Sequence, residues 1–162
     1  MLDLETLGHK ENAVIIQIGA SYFNGDEFFE EIDARSSIAA GFEMTVETVG
    51  WWMEQEARPN IMNGINVQNA INKFNRFASR ASRIWCHVSF DCPIIINHLN
   101  KFIAKPSIHY TQFRDLRTLV DLAGLNLNDY ERVGTHHNAL DDCLFQIQYC
   151  MEGLKKINDK RN

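Results

Sequence analysis

Three short patterns of acidic and histidine residues lie far apart in the chain, and each has residue types that can take part in metal chemistry. Asp3 and Glu5 are separated by one residue, so on a strand both carboxylates point to the same face. Asp91 stands where an apolar strand is expected to give way to a helix, and His137 precedes Asp142 near the carboxyl end. Gathered in one place, these carboxylates would suit hard divalent cations, and the histidine would suit proton transfer.

Each pattern also has an ordinary structural explanation when it is taken alone. Acids with the same one-residue spacing recur at residues 31–33, 54–56 and 129–131, where solvated pairs are expected. Asp91 can be a helix N-cap, and a histidine ahead of a helix with an acid on its first turns can be a capping arrangement. The chemical interpretation therefore depends on the three patterns occurring together and in this order.

The elements around these residues predict a mixed α/β sheet with helices on its faces. A strand is predicted over residues 14–23, followed by a turn at 24–26 and a returning strand over 27–33. Further strands are predicted over 83–89 and 108–113, and helices over 45–56, 67–81, from about 91, 116–123 and 138–156. Only two residues precede Asp3, so we expect a truncated first strand within one domain spanning residues 1–162.

Composition sets limits on the class of protein. With 162 residues and 45% hydrophobic content, the chain can bury the core of one ordinary domain. It has neither an apolar run long enough to span a membrane nor a basic and apolar leader, so we expect a cytoplasmic protein without membrane association. The four cysteines have no CxxC spacing, which predicts reduced thiols and argues against zinc.

The net charge of −5 argues against a nucleic-acid partner, but only weakly. Divalent cations bound by the acids would offset their charge and would themselves attract phosphate. Basic residues also cluster within residues 73–83 and 155–161, although such clusters are more often solvated helix faces. The charge predicts a modest affinity for nucleic acid rather than none.

The combined pattern resembles the DEDDh branch of the DEDD 3′–5′ exonucleases, and within it the small exodeoxyribonuclease VIII-type and phage exonuclease A-type enzymes. The supporting segments occur in the expected order along nearly the whole chain: residues 3–8, 16–20, 51–55, 90–91, 114–118 and 137–142. The resemblance implies a ribonuclease-H-like fold, with a mixed five-stranded sheet flanked by helices.

The resemblance assigns the reaction to four acids and one histidine: Asp3, Glu5, Asp91, Asp142 and His137. The acids would hold two Mg²⁺ or Mn²⁺ ions, for which oxygen ligands are suited. His137 would take a proton from the attacking water, and the product would be a nucleoside 5′-monophosphate. The family spacing selects Asp142 over Asp141 and His137 over His136; His136 is the alternative if the local register differs. His87 receives no role.

Contacts with the substrate also follow from the resemblance. Trp51, Trp52 and Gln55 are candidates for stacking on and hydrogen-bonding to the terminal base. Thr6 and Leu7 directly follow the metal-binding acids and are expected under the 3′-terminal nucleotide. We expect at least one of the two tryptophans to be a core residue instead.

The expected substrate is the 3′ end of a single-stranded nucleic acid, with DNA favoured because the closer resemblance is to DNA-degrading enzymes. The first alternative is an exoribonuclease that trims RNA 3′ ends. The others are an inactive nucleic-acid-binding module of the same fold and a proofreading subunit of a polymerase. Because related small enzymes are often dimers, we also expect a homodimer.

Overall fold

A computed structural model describes residues 1–159 and has a mixed α/β fold. The strands are β1 Leu2–Thr6, β2 Ile15–Ser21, β3 Glu27–Glu31, β4 Ile84–Cys86 and β5 Phe113–Asp115. The helices are α1 Ala34–Ala39, α2 Val46–Glu54, α3 Val67–Ala78, α4 Asp91–Phe102, α5 Leu116–Ala123 and α6 Ala139–Asp159. Short 3₁₀ turns occupy Tyr110–Gln112 and Leu127–Asp129. Among residues 1–159, no helix combines the length and apolar character needed to cross a membrane.

The first three strands form an antiparallel sheet in the order β1-β2-β3. Asp3 lies opposite Gly19 of β2, and Glu5 lies opposite Gln17. The predicted hairpin turn between β2 and β3 is confirmed: Gly25 has a φ of 95°, a left-handed conformation that glycine adopts without steric cost. All seven residues of β2 are buried, so β1 is supported by a rigid central strand.

The expectation of one five-stranded sheet is not met in residues 1–159. β4 and β5 form a separate two-stranded parallel sheet, although β4 packs against β1. β4 has only three residues, and just beyond it the Asp91 carboxylate lies beside the Leu4 backbone of β1. A side chain therefore occupies the place beside β1 where a longer β4 would continue.

Each predicted helix occurs in the structure, and two differences concern other segments. The helix α1 was not predicted; it begins where the Asp33 carboxylate accepts a hydrogen bond from the Arg35 N–H. The strand predicted over residues 108–113 is replaced by a 3₁₀ turn, after which β5 begins at Phe113. The His109 side chain caps that turn, which favours the helical conformation locally.

The core lies on both faces of the three-stranded sheet. One face packs against α3 and α4 through residues that include Phe74, Ile94 and Leu99. α6 crosses β2 so closely that a Cβ on Gly19 would lie 2.2 Å from the Ala139 carbonyl carbon, so only glycine fits there. The position of α6 over β2 sets where its first turns meet β1. Of the carboxyl-terminal basic cluster, Lys160 and Arg161 lie outside the described residues.

Candidate active site

The strand β1 presents two buried acids. Asp3 and Glu5 are each only 8% exposed, and the one-residue spacing carries both carboxylates to the same face of the strand. Asp3 Oδ1 accepts a 2.7 Å hydrogen bond from the side-chain amide of Gln146 on α6. This face of β1 is the floor of the candidate site.

Asp91 reaches the same place from the end of β4. It is the first residue of α4, and the N-cap is Phe90, whose side chain makes no capping bond. The carboxylate of Asp91 instead turns back and accepts a 2.8 Å hydrogen bond from the His87 N–H. The N-cap explanation of Asp91 is therefore wrong, and its 1% exposed side chain faces β1.

Asp142 lies in the first turn of α6. Asn138 begins the helix, because its Oδ1 accepts hydrogen bonds from the backbone N–H groups of Leu140 and Asp141. Asp141, which the family spacing did not select, is half-buried, and its Oδ2 accepts a 2.7 Å hydrogen bond from the Thr135 N–H. Asp141 fixes the preceding loop, whereas Asp142 is buried toward the site.

His137 sits at the entrance in an uncommon backbone conformation. Its φ is 63°, in the left-handed region that residues with a Cβ seldom adopt and that is most often retained at functional positions. Its Nδ1 lies 4.0 Å from Glu5 Oε1, and its ring meets Trp51 edge-on at 4.7 Å between centroids. His136 stacks on the other side of the ring at 3.8 Å and is exposed to solvent.

Two sets of side chains are compact enough to hold a cation each. The first comprises Asp3, Asp91 and His87; the second comprises Glu5, Asp142 and His137. In each set, the potential ligand atoms lie within 4.8 Å of one another. Carboxylate oxygens fit Mg²⁺ or Mn²⁺, and an added imidazole nitrogen is compatible with Mn²⁺.

The sequence patterns missed His87. A lone histidine after a short strand carries no spacing signal, and its proximity to Asp3 becomes visible only when β4 is placed beside β1. Burial lowers the pKa of its imidazole, which favours the neutral form that can donate a lone pair to a metal.

The buried acids of the site repel one another, and a nearby positive charge would stabilise their ionised forms. Burial, reinforced by the neighbouring carboxylates of Asp3, Asp142 and Asp91, raises the pKa of Glu5 to about 9. Burial also raises the pKa of Asp3, against the lowering effect of the Gln146 hydrogen bond. A divalent cation would stabilise the ionised forms of both acids.

The pKa of His137 is lowered, first by burial and then by the neighbouring His136. At neutral pH its imidazole is therefore largely unprotonated. An imidazole in this state, beside buried acids and open to the entrance of the site, can accept a proton from a reacting group.

Two neighbouring cavities form a groove beside Glu5. A cavity of about 200 Å³ beside Glu5 is lined by residues that include Thr6, Thr48, Trp51 and Phe90. A second cavity of about 320 Å³ lies between Gln55 and Ala57 at the end of α2 and residues 135–137. Trp51 lines the first cavity and His137 the second, and the two rings are in contact.

The two tryptophans that we expected to contact the substrate lie in different environments. Trp51 is 40% exposed on the rim of the groove, whereas Trp52 is 6% exposed and donates a 2.8 Å hydrogen bond from Nε1 to the Thr6 carbonyl. As expected for one of the pair, Trp52 is a core residue. Thr6 lines the groove, but its hydroxyl is already bonded to the Gly8 carbonyl at 2.5 Å.

The expected position of Leu7 under the terminal nucleotide is wrong. We expected it to make an apolar contact with the terminal nucleotide, but it is buried in the cluster under α2 with Val14, Ile16 and Trp52. The register of β1 shifts between Glu5 and Thr6, so the alternation that carries Asp3 and Glu5 to the site does not continue to Leu7, which faces the core. Gln55 lies at the end of α2, where its Nε2 donates to the Trp51 carbonyl, and it lines the second cavity.

Comparison with known families adds an independent finding. A family model described as the 3'-5' exoribonuclease Rv2179c-like domain matches residues 1–154, which is nearly the whole chain. No curated protein matches the chain significantly.

Proposed function

The chain belongs to the Rv2179c-like 3'-5' exoribonuclease domain family, and on that premise we propose that it is a metal-dependent 3′–5′ exoribonuclease. Its substrate is the 3′ end of single-stranded RNA, and its product is a nucleoside 5′-monophosphate. The observation that carries the proposal is the convergence of two carboxylate–imidazole sets at the end of an open groove. The family description favours the RNA alternative over the DNA substrate that the sequence resemblance had favoured.

Asp3, Glu5, Asp91 and Asp142 are the residues that would hold the metal ions, with His87 beside Asp3 and Asp91. Their fit to hard cations rests on the donor atoms and on the raised pKa of the buried acids. When bound, two Mg²⁺ or Mn²⁺ ions would neutralise the scissile phosphate and stabilise charge on the attacking and leaving oxygens.

His137 is the proposed general base. Its imidazole is held at the entrance between Trp51 and His136, and its Nδ1 is 4.0 Å from Glu5. It would take a proton from the attacking water and release it to solvent through its exposed edge. Trp51 would stack on the terminal base, which positions the last phosphodiester over the acids without selecting a base.

The competing function is an inactive RNA-binding module with the same fold. The presence of all four acids and the histidine in one cleft argues against it, because a binding module has no need to bury four carboxylates with so little compensating charge. An exonuclease shortens RNA, whereas an inactive binding module only binds it, so an activity assay distinguishes the two functions.

The test uses RNA and DNA oligomers of the same sequence, labelled at the 5′ end, with Mg²⁺ or with EDTA. We expect the RNA to shorten one nucleotide at a time from its 3′ end with Mg²⁺ only, and to release 5′-monophosphates. Faster shortening of the DNA would restore the sequence-based expectation. Intact RNA under all conditions would overturn the exonuclease proposal.

Three variants assign the activity to the site. Asp3→Asn should abolish shortening, and His137→Gln should slow it by roughly 10²–10⁴-fold. His136→Gln tests the alternative register and should have the smaller effect of the two histidine changes. His109→Gln, in the 3₁₀ turn before β5, is the matched control for an exposed histidine outside the site. Undiminished activity of Asp3→Asn would reveal a contaminating nuclease or a wrong site.

A further inference from the structure

Arg132 forms an ion pair with a candidate metal ligand and has no role in the function proposed above. Its Nη1 forms an ion pair with Asp142 Oδ1. Its guanidinium carbon lies 4.3 Å from the centre of the Phe145 ring, one turn further along α6. Two contacts from one face of α6 therefore hold the guanidinium at the edge of the site.

The loop that carries Arg132 is pinned on both sides. Before it, Tyr130 packs against Tyr149 with ring centroids 5.7 Å apart. After it, the Thr135 N–H is bonded to Asp141, and Gly134 has a φ of 93°. A Cβ on Gly134 would lie 2.5 Å from Asp141 Cγ, so the loop approaches α6 only because glycine is there. These contacts fix the backbone at Arg132, so a change of its partner needs only a change of its side-chain conformation.

Most of the hydrogen-bonding capacity of Arg132 is unused. A guanidinium has five N–H donors, and within residues 1–159 its one hydrogen bond is to Asp142. The Arg132 side chain is 31% exposed, whereas that of Asp142 is 10% exposed. The remaining donors are therefore open to solvent beside the ion pair, where their planar arrangement suits a phosphate.

Two demands on Asp142 conflict. The carboxylate that pairs with Arg132 belongs to the set with Glu5 and His137 that can hold a cation. A divalent ion on Asp142 would repel the guanidinium and compete with it for the same oxygen. Arg132 would then be released beside the candidate metal ligands, next to the place where the scissile phosphate of a bound strand has to lie.

We propose that Arg132 alternates between two anions: it pairs with Asp142 in the metal-free protein and binds a phosphate of the RNA 3′ end once cations occupy the carboxylates. This inference rests on the proposed function, because it needs an RNA end in the groove. Arg132 thereby links cation binding to RNA binding, because a cation on Asp142 frees the guanidinium for a phosphate of the substrate.

The test starts with the cation alone. The Mn²⁺ affinity is measured by calorimetry without RNA, in the wild type and in Arg132→Met, which keeps the length of the side chain and removes its charge. We expect Arg132→Met to bind Mn²⁺ roughly 5-fold more tightly or better, because the competing cation has gone. Arg80→Met is the matched control: Arg80 also pairs with an acid, Asp26, and lies over a tyrosine ring, but at the far end of β1.

RNA binding is then measured by fluorescence anisotropy over a range of salt, with Ca²⁺ as the cation and with gels showing that the RNA stays intact. In Arg132→Met the affinity should fall about 10-fold, and the slope of log affinity against log salt should lose about 0.7, the value for one phosphate contact on a single strand. Arg132→Lys should keep the salt slope and lose part of the affinity. Arg80→Met should match the wild type.

The possible results distinguish a failure of this inference from a failure of the proposed exonuclease function. If the wild type shortens RNA but Arg132→Met keeps the wild-type Mn²⁺ affinity or the wild-type salt slope, the alternation of Arg132 is wrong and the exonuclease stands. If the wild type binds Mn²⁺ but neither binds nor shortens RNA, both are wrong.

Discussion

The amide nitrogen of Gln146 donates a 2.7 Å hydrogen bond to Asp3 Oδ1, although 143 positions of sequence separate the two residues. Both side chains are buried. The bond ties α6, which carries Asp142, to β1, which carries Asp3. It is therefore a direct link between the two ends of the chain inside the candidate active site.

The first prediction concerns this bond. A donor to the ionised carboxylate lowers the pKa of Asp3, so Gln146→Met should raise that pKa and move the acidic limb of the pH–rate profile to higher pH. The rate at a pH above the new midpoint should recover in part. Gln68→Met, an exposed change on α3, serves as the control. A variant with reduced activity but an unmoved profile would mean that Gln146 acts through packing alone.

The sequence could predict the acids of this site but not what surrounds them. Asp3, Glu5, Asp91 and Asp142 belong to patterns with regular spacing, and the structure brings all four into one cleft. Gln146, His87 and Arg132 belong to no such pattern. Each contributes only through a partner that is distant along the chain or lies across a loop, so its contribution depends on the packing of α6, β4 and the loop before α6.

The helices also differ in how far local sequence signals predict them. α5 could be predicted with its observed bounds, because Asp115 caps its start and Gly124, with a φ of 62°, ends it. α1 could not, because its six residues have no helical apolar repeat and its start depends on the Asp33 cap. The sequence patterns could not show that β4 and β5 form a separate sheet, because pairing between β1 and β4 depends on how the strands pack, and the Asp91 carboxylate lies beside the Leu4 backbone there.

The second prediction separates the neighbouring tryptophans. Trp52→Phe should destabilise the fold by about 1–3 kcal/mol, since it removes buried volume and the hydrogen bond to the Thr6 carbonyl. Trp51→Leu should leave stability nearly unchanged but weaken RNA binding by about 1–3 kcal/mol, the usual value for one stacked base. Urea unfolding and anisotropy measure the two quantities. Equal RNA affinity of Trp51→Leu and wild type would remove Trp51 from the substrate site.

The third prediction concerns stability in mild acid. His98 is fully buried, stacks on Phe42 at 3.6 Å and donates from Nδ1 to the Ile94 carbonyl. Burial lowers its pKa from 6.5 to about 4. The unfolded chain therefore binds a proton more readily, and the contribution of neutral His98 to stability is complete above pH 6.5 and is lost as the pH falls toward 4.

Urea unfolding of wild type and His98→Phe at pH 7 and pH 4 isolates this effect from other titrating groups. The stability of the wild type relative to the variant should fall by about 3 kcal/mol between the two pH values. His9→Phe, at an exposed position, should follow the wild type at both. A difference between wild type and His98→Phe that does not change with pH would show that His98 is not held neutral by the fold.

The last prediction tests the cation site without any reaction. In the metal-free protein, burial and the neighbouring acids raise the pKa of Glu5 from 4.5 to about 9. The folded state then holds the proton more tightly than the unfolded state, so the contribution of Glu5 to stability is present below pH 4.5 and is lost as the pH rises through 9. In EDTA at pH 9, Glu5→Gln should therefore be more stable than the wild type by at least about 1 kcal/mol, and this advantage should shrink at pH 5.

Saturating Mg²⁺ should stabilise the wild type more than the variant, because a ligand that binds only the folded state favours folding. Glu54→Gln, on the exposed face of α2, should respond to Mg²⁺ as the wild type does. If Mg²⁺ stabilises Glu5→Gln as much as the wild type, Glu5 is not a ligand, since the neutral amide has lost the charge that would hold the cation.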